Sequence, residues 1–232
     1  ESDEQSRISY ENQRNAYITR LDNQAEGNTN NQGKTLESMR NKLNTYLGDV
    51  DNVIDIGAAE GTLSLVYNFP NANYYLFEPL KLYNDKLISF NNKHNVKNFE
   101  IYNVALSNKV GETDFFYIKD APISSSVNDP NEYWSGVKKD STEKIKVSVN
   151  TLSNFKDKID FNNSLIKIDT QGNEIDVLKG IDDVIYDKAK FFILEIAFHK
   201  RYETQCTFDD VYMFLREKGF KLAGVIDLNN EV

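Results

Sequence analysis

The chain has 232 residues, 40% of them hydrophobic and 12% aromatic, with 27 basic against 36 acidic side chains and a formal net charge of −9. That length and apolar content suit one α/β domain with a full core and exclude a disordered chain. The acidic balance argues against a nucleic-acid partner, the single Cys206 excludes an intrachain disulfide or a cysteine zinc cluster, and no apolar run reaches the ~20 residues of a membrane span.

Residues 1–22 carry a loose apolar stripe (Ile8, Tyr10, Tyr17, Ile18, Leu21) that predicts a surface helix. The Asn- and Gly-rich run 24–33 reads as a loop, either a linker or a lid. Leu36, Met39, Leu43 and Leu47 follow helical spacing until Gly48 ends the helix. Residues 1–48 are therefore expected to be a helical extension or lid, and 49–232 a cofactor-binding domain. A single cysteine fits a reducing, cytoplasmic setting.

The stretch Asn52-Val53-Ile54-Asp55-Ile56-Gly57-Ala58-Ala59-Glu60-Gly61 organises the rest. A buried β-branched run stops at Ile56, a Gly-containing turn follows, and helical spacing resumes with Leu63, Leu65, Val66 and Phe69. This is the strand–turn–helix of a nucleotide-cofactor site at the carboxyl end of a doubly wound sheet. The turn lacks the middle glycine of the dinucleotide fingerprint, which speaks against a nicotinamide enzyme. Asp55 beside it suits a cationic ligand group, such as the amino end of S-adenosylmethionine.

Ala72–Phe77 reads as the next strand, closed by Glu78-Pro79. Glu78 lies 17 residues past Gly61, near the ~20 expected of an acid that binds ribose hydroxyls. A helix over 81–92 follows, then a strand over 99–104. The Asn103 carbonyl is placed to accept from an adenine amino group and Val104 to pack on the ring; a polar turn residue and a core valine are the plainer alternatives. Strands over 112–118 and 144–149 are expected to pair like a hairpin. Between them runs a long polar loop with Ser124-Ser125-Ser126, Tyr133 and Trp134, suited to stacking on a sugar or to plugging the loop onto the body.

The strand Ser164–Asp169 carries Lys167 and Asp169 on one face, as a structural salt bridge or as a site at a strand's carboxyl end. The strand over 191–198 includes Glu195, and His199 follows it. A helix over 207–218 stops at Gly219, and 220–226 is a sixth strand.

The blocks VIDIGAAEG, LFEP, NVALSNKVG, LIKIDTQGNEIDVLKG and FILEIAF, in that order between about Asp51 and Phe198, resemble FkbM-type S-adenosylmethionine-dependent methyltransferases. The resemblance implies an α/β, doubly wound, mostly parallel, Rossmann-like class I sheet that uses S-adenosyl-L-methionine. It implies methylation of a hydroxyl oxygen, often on a sugar of a glycan or secondary metabolite. Asp55, Gly57, Ala58 and Gly61 are expected at the methionine end, Glu78 at the ribose, and Asn103, Val104 and Ala105 at the adenine. Asp169, Glu195 and His199 are the general-base candidates, with Asp169 also suited to a metal or to the methionine amino group; no metal site is assigned. Gln171, Ser125, Tyr133 and Trp134 are the expected acceptor contacts. The chain departs from the family at Ala59, where Asn is frequent, and at Gln171, where Glu is frequent. An N-methyltransferase acting on a small molecule or protein, and a non-catalytic cofactor-binding subunit of a glycan-synthesis complex, are the alternatives.

Overall fold

The computed structural model describes residues 15–18, 49–130, 141–196, 202 and 204–225. After a short strand β1 (Asn15–Ile18) come β2 (Asn52–Ile56), helix α1 (Leu63–Asn68), β3 (Asn73–Phe77), α2 (Asn84–Lys93) and β4 (Phe99–Tyr102). The chain then forms β5 (Ala105–Leu106), β6 (Gly111–Ile118) and β7 (Thr142–Asn150). It continues through β8 (Ser164–Ile168), α3 (Glu174–Lys179), α4 (Asp183–Lys188), β9 (Ala189–Leu194), α5 (Phe208–Glu217) and β10 (Lys221–Gly224).

Seven of the strands make one sheet in the order β10-β1-β9-β8-β2-β3-β4, and every pairing in it is parallel. β2 and β8 are buried at all five positions, as a strand covered by helices on both faces must be. Their residues alternate between two cores. Ile54, Ile56, Ile166 and Ile168 face Val177, Leu178, Val211 and Leu215, while Val53 and Leu165 face Leu65, Val66 and Leu87. α5 is fixed at its start by a reciprocal capping box between Thr207 and Asp210.

The register sets the functional geometry. Ile56 pairs with Phe77 and with Ile168, Phe77 with Tyr102, and Ile168 with Leu194. The residues that follow these strands (Gly57, Glu78, Asn103, Asp169 and Glu195) therefore stand in one row along the carboxyl edge. Chain order reverses between β2 and β8, which opens a crevice there.

A smaller sheet, β5-β7-β6, flanks this edge. β6 and β7 pair antiparallel as the alternation predicts, with the short β5 added parallel to β7. The helix expected over 1–22 is contradicted at Asn15–Ile18, which form β1 between β9 and β10. Its partners lie more than 170 residues away, so local periodicity carries no trace of that pairing. The loop expected over 24–33 and the helix expected over 35–46 lie outside the described residues.

Candidate active site

The crevice is a pocket of about 610 Å³ including its mouth. Gly57, Glu78, Val104, Ala105, Ser125, Asp169 and Gln171 are on its wall, together with Tyr83, Phe115, Ile123 and Val127, which no sequence motif singles out. The last four come from α2's approach, the small sheet and the loop after β6, and only the tertiary fold brings them to the crevice.

Gly57 has φ +78, and a Cβ there would stand 1.8 Å from the Asp169 carbonyl oxygen. This glycine lets the ends of β2 and β8 touch, where Asp169 N–H donates to Ile56 O at 3.0 Å. Gly61 serves packing instead. A Cβ there would meet the Phe90 ring at 2.3 Å, so its bareness seats α2 against the turn. Ala58 is buried, its N–H donating to Phe77 O. Neither Gly61 nor Ala58 lies on the pocket wall. Ala59 holds φ +44, a left-handed position that Asn tolerates better than Ala.

Asp55 is 1% exposed and off the pocket wall. It accepts from Thr62 Oγ1 at 2.7 Å, and Lys167 Nζ lies 3.0 Å from its Oδ1. Asp55 and Lys167 are directly paired across β2 and β8. The same ammonium donates to Gly57 O at 3.0 Å and stands 3.3 Å from Asp169 Oδ2. Burial pulls the lysine pKa down, but Asp55 and Asp169 outweigh it and hold it above the ordinary value. Asp55 thus reaches a ligand only through Lys167 and the turn. Burial raises its own pKa against the pull of that lysine.

Glu78 is 5% exposed and on the wall. One oxygen accepts from Ala59 N–H at 3.1 Å and the other from Leu80 N–H at 2.9 Å, so the acid ties the glycine turn to its own strand end. Burial pushes it up to about 7. Each oxygen keeps a lone pair for a hydroxyl. Asn103, whose carbonyl is expected at the adenine, has its amide engaged elsewhere: Oδ1 accepts from Asn84 Nδ2 at 3.0 Å, and Nδ2 donates to Glu78 O at 3.1 Å and to Asn84 Oδ1 at 2.7 Å. It is off the wall, which Val104 and Ala105 form instead.

At the other end, Gln171 (φ +54) donates from Nε2 to Asp169 Oδ1 at 2.8 Å and to Glu195 Oε2 at 3.3 Å. Burial and then Asp169 push Glu195 well above the carboxylate range. The turn 169–174 is closed by buried Glu174, which accepts from Thr170 N–H and Gly172 N–H; burial raises it to about 7. Ser126 Oγ donates to Gln171 O at 2.7 Å and fastens the loop after β6 to this turn. Ser125 Oγ accepts from Ile118 N–H at 2.9 Å. His199, Tyr133 and Trp134 lie outside the described residues.

A ligand crevice at the reversal point of a parallel sheet, with a glycine turn on one side and an acid ending the neighbouring strand, defines a Rossmann-like, class I cofactor-binding enzyme domain. Residues 55–222 match the family model described as the methyltransferase FkbM domain, and the chain belongs to that family of S-adenosylmethionine-dependent methyltransferases. Neither a curated protein nor a solved structure matches the chain. Among the described residues no helix is long and apolar enough to cross a membrane, and no three acid, histidine or cysteine side chains gather as metal donors.

Proposed function

We propose that this chain binds S-adenosylmethionine in the crevice and methylates a hydroxyl oxygen, of a sugar in a glycan or secondary metabolite. The single observation that carries the reading is Asp169: this acid lines the pocket, at the strand end whose backbone meets Gly57. The residues fit the cofactor. Tyr83, Val104 and Phe115 offer apolar walls for an adenine, and Glu78 offers free lone pairs for ribose hydroxyls. When bound, the cofactor supplies a methyl already activated by its sulfonium.

The protein's part is then alignment and proton removal. Asp169, held by Lys167 and Gln171, accepts the proton of an acceptor hydroxyl within hydrogen-bond reach. Alignment by the rigid row of strand ends supplies much of the remaining barrier reduction. Ser125 and Gln171, on the same wall, are suited to hold the acceptor. The test is labelled-methyl transfer to glycans extracted from the producing cell. Wild-type protein is expected to label a glycan fraction and Asp169→Asn to leave it unlabelled while keeping its fold. Wild-type turnover in Asp169→Asn, or label arriving on amines alone, would overturn the reading.

A further inference from the structure

Asp169 and Glu195 follow adjacent strands, and one side-chain amide reaches both. Gln171 Nε2 lies 2.8 Å from Asp169 Oδ1 and 3.3 Å from Glu195 Oε2. Two buried carboxyls gathered on one amide nitrogen repel when both are charged, so the less costly state leaves a proton on one of them. The local cation decides which. Lys167 Nζ stands 3.3 Å from Asp169 Oδ2, while among the described residues no ion pair reaches Glu195.

We propose that Glu195 is a positioning residue that holds a proton at neutral pH and hydrogen-bonds Asp169 through it, with Gln171 clamping the pair. The pocket wall then presents one ionised carboxylate to the acceptor. The identity of that acceptor rests on the methyl-transfer reading; the protonation of Glu195 does not.

The surroundings agree. Burial and the Asp169 charge raise the Glu195 pKa and Glu174 on α3 adds to them, against the pull of Lys167 and the hydrogen bond from Gln171. Tyr202, which also faces this cluster, has its own pKa raised by burial and by the Glu174, Glu195 and Asp169 charges, so it brings no negative charge of its own. Gln171 is held at φ +54, a backbone region costly for a residue with a Cβ, and Ser126 fastens its carbonyl there. The strain is kept where the amide must aim at two carboxyls. Glu195 is absent from the pocket wall whereas Asp169 and Gln171 are on it. Glu195 therefore acts on the acceptor through Asp169, not as a second base. One carboxylate, partly balanced by Lys167, suits a neutral hydroxyl; two ionised carboxylates would draw an ammonium.

The test is a pH titration by NMR of the glutamate side-chain carboxyl carbons in the full chain. The Glu195 signal is assigned as the one that Glu195→Gln removes. That carbon is expected to stay at its protonated shift at pH 7, and Asp169→Asn to lower its midpoint by about one pH unit or more. A Glu195 carbon already at the carboxylate shift at pH 7 in wild-type protein overturns the proposal. So does a midpoint that Asp169→Asn leaves unmoved. In the labelled-methyl assay Glu195→Gln, a neutral mimic of the protonated acid, should retain more turnover than Glu195→Ala, and loss to background in both would show that Glu195 is a base after all. An inert protein whose Glu195 is protonated would reject the methyl-transfer reading and leave this one standing.

Discussion

Replacing Gly57 by alanine probes the closest contact in the site. The new Cβ would stand 1.8 Å from Asp169 O and 2.9 Å from Asp169 C, both backbone atoms with no flexible side chain to yield. An ordinary C···O separation of ~3.3 Å requires the ends of β2 and β8 to part by about 1.5 Å. That opening breaks the hydrogen bond from Asp169 N–H to Ile56 O. The lost buried bond costs about 1–3 kcal/mol, and the φ of +78 costs an alanine a further ~1–2 kcal/mol. Gly111→Ala is the internal control, because Gly111 also has positive φ but meets nothing within 4 Å. Urea unfolding of both variants should show Gly57→Ala less stable than Gly111→Ala by about 1–3 kcal/mol, the close approach alone. Cofactor affinity should fall in Gly57→Ala only. Equal losses in the two variants would refute the idea that Gly57 exists to let the two strand ends meet.

Other perturbations have defined signs. Ala59→Gly releases a side chain from φ +44 and should stabilise the fold by about 0.5–1 kcal/mol after the entropic cost of glycine, read by urea unfolding. Glu78 is pushed up to about 7, so its contribution to stability is full at low pH and lost as pH rises from its unfolded value near ~4.3 through about 7. Glu78→Gln should flatten that part of the pH profile. In wild-type protein, calorimetry should show cofactor affinity weakening as pH falls below 7, and Glu78→Ala should cost about 1–3 kcal/mol of binding. Lys167→Met leaves Asp55 and Asp169 buried without their cation and should destabilise by about 3–5 kcal/mol, with Asp55→Asn on top recovering part of the loss.

How far the sequence could be read follows from which interactions are local. β2 and β8 are legible because short Val, Ile and Leu runs, interrupted only by Asp55 and Lys167, mark strands buried on both faces, and the turns that end them mark the carboxyl edge. The position of Glu78 carries a second local signal: Pro79 has no N–H, and the acid accepts from Leu80 N–H two residues on. Partners chosen by tertiary contact left no such mark. Gly61 resembles a ligand glycine until Phe90 is seen against it, and Asn103 resembles an adenine contact until Asn84 takes its amide. Asp55 resembles a ligand for a cation, and it is one, but the cation is Lys167 from the neighbouring strand. β1 escaped altogether, since its strand character comes from β9 and β10.

The central claim is that a methyl donor lies across the carboxyl edge between β2 and β8. A crystal structure with bound S-adenosylmethionine tests it most directly. The account predicts ribose hydroxyls on the Glu78 carboxylate, the adenine against Val104 and Ala105, and the methyl-bearing sulfur turned toward Asp169. A donor bound outside this crevice, or one whose ribose makes no contact with Glu78, would contradict it.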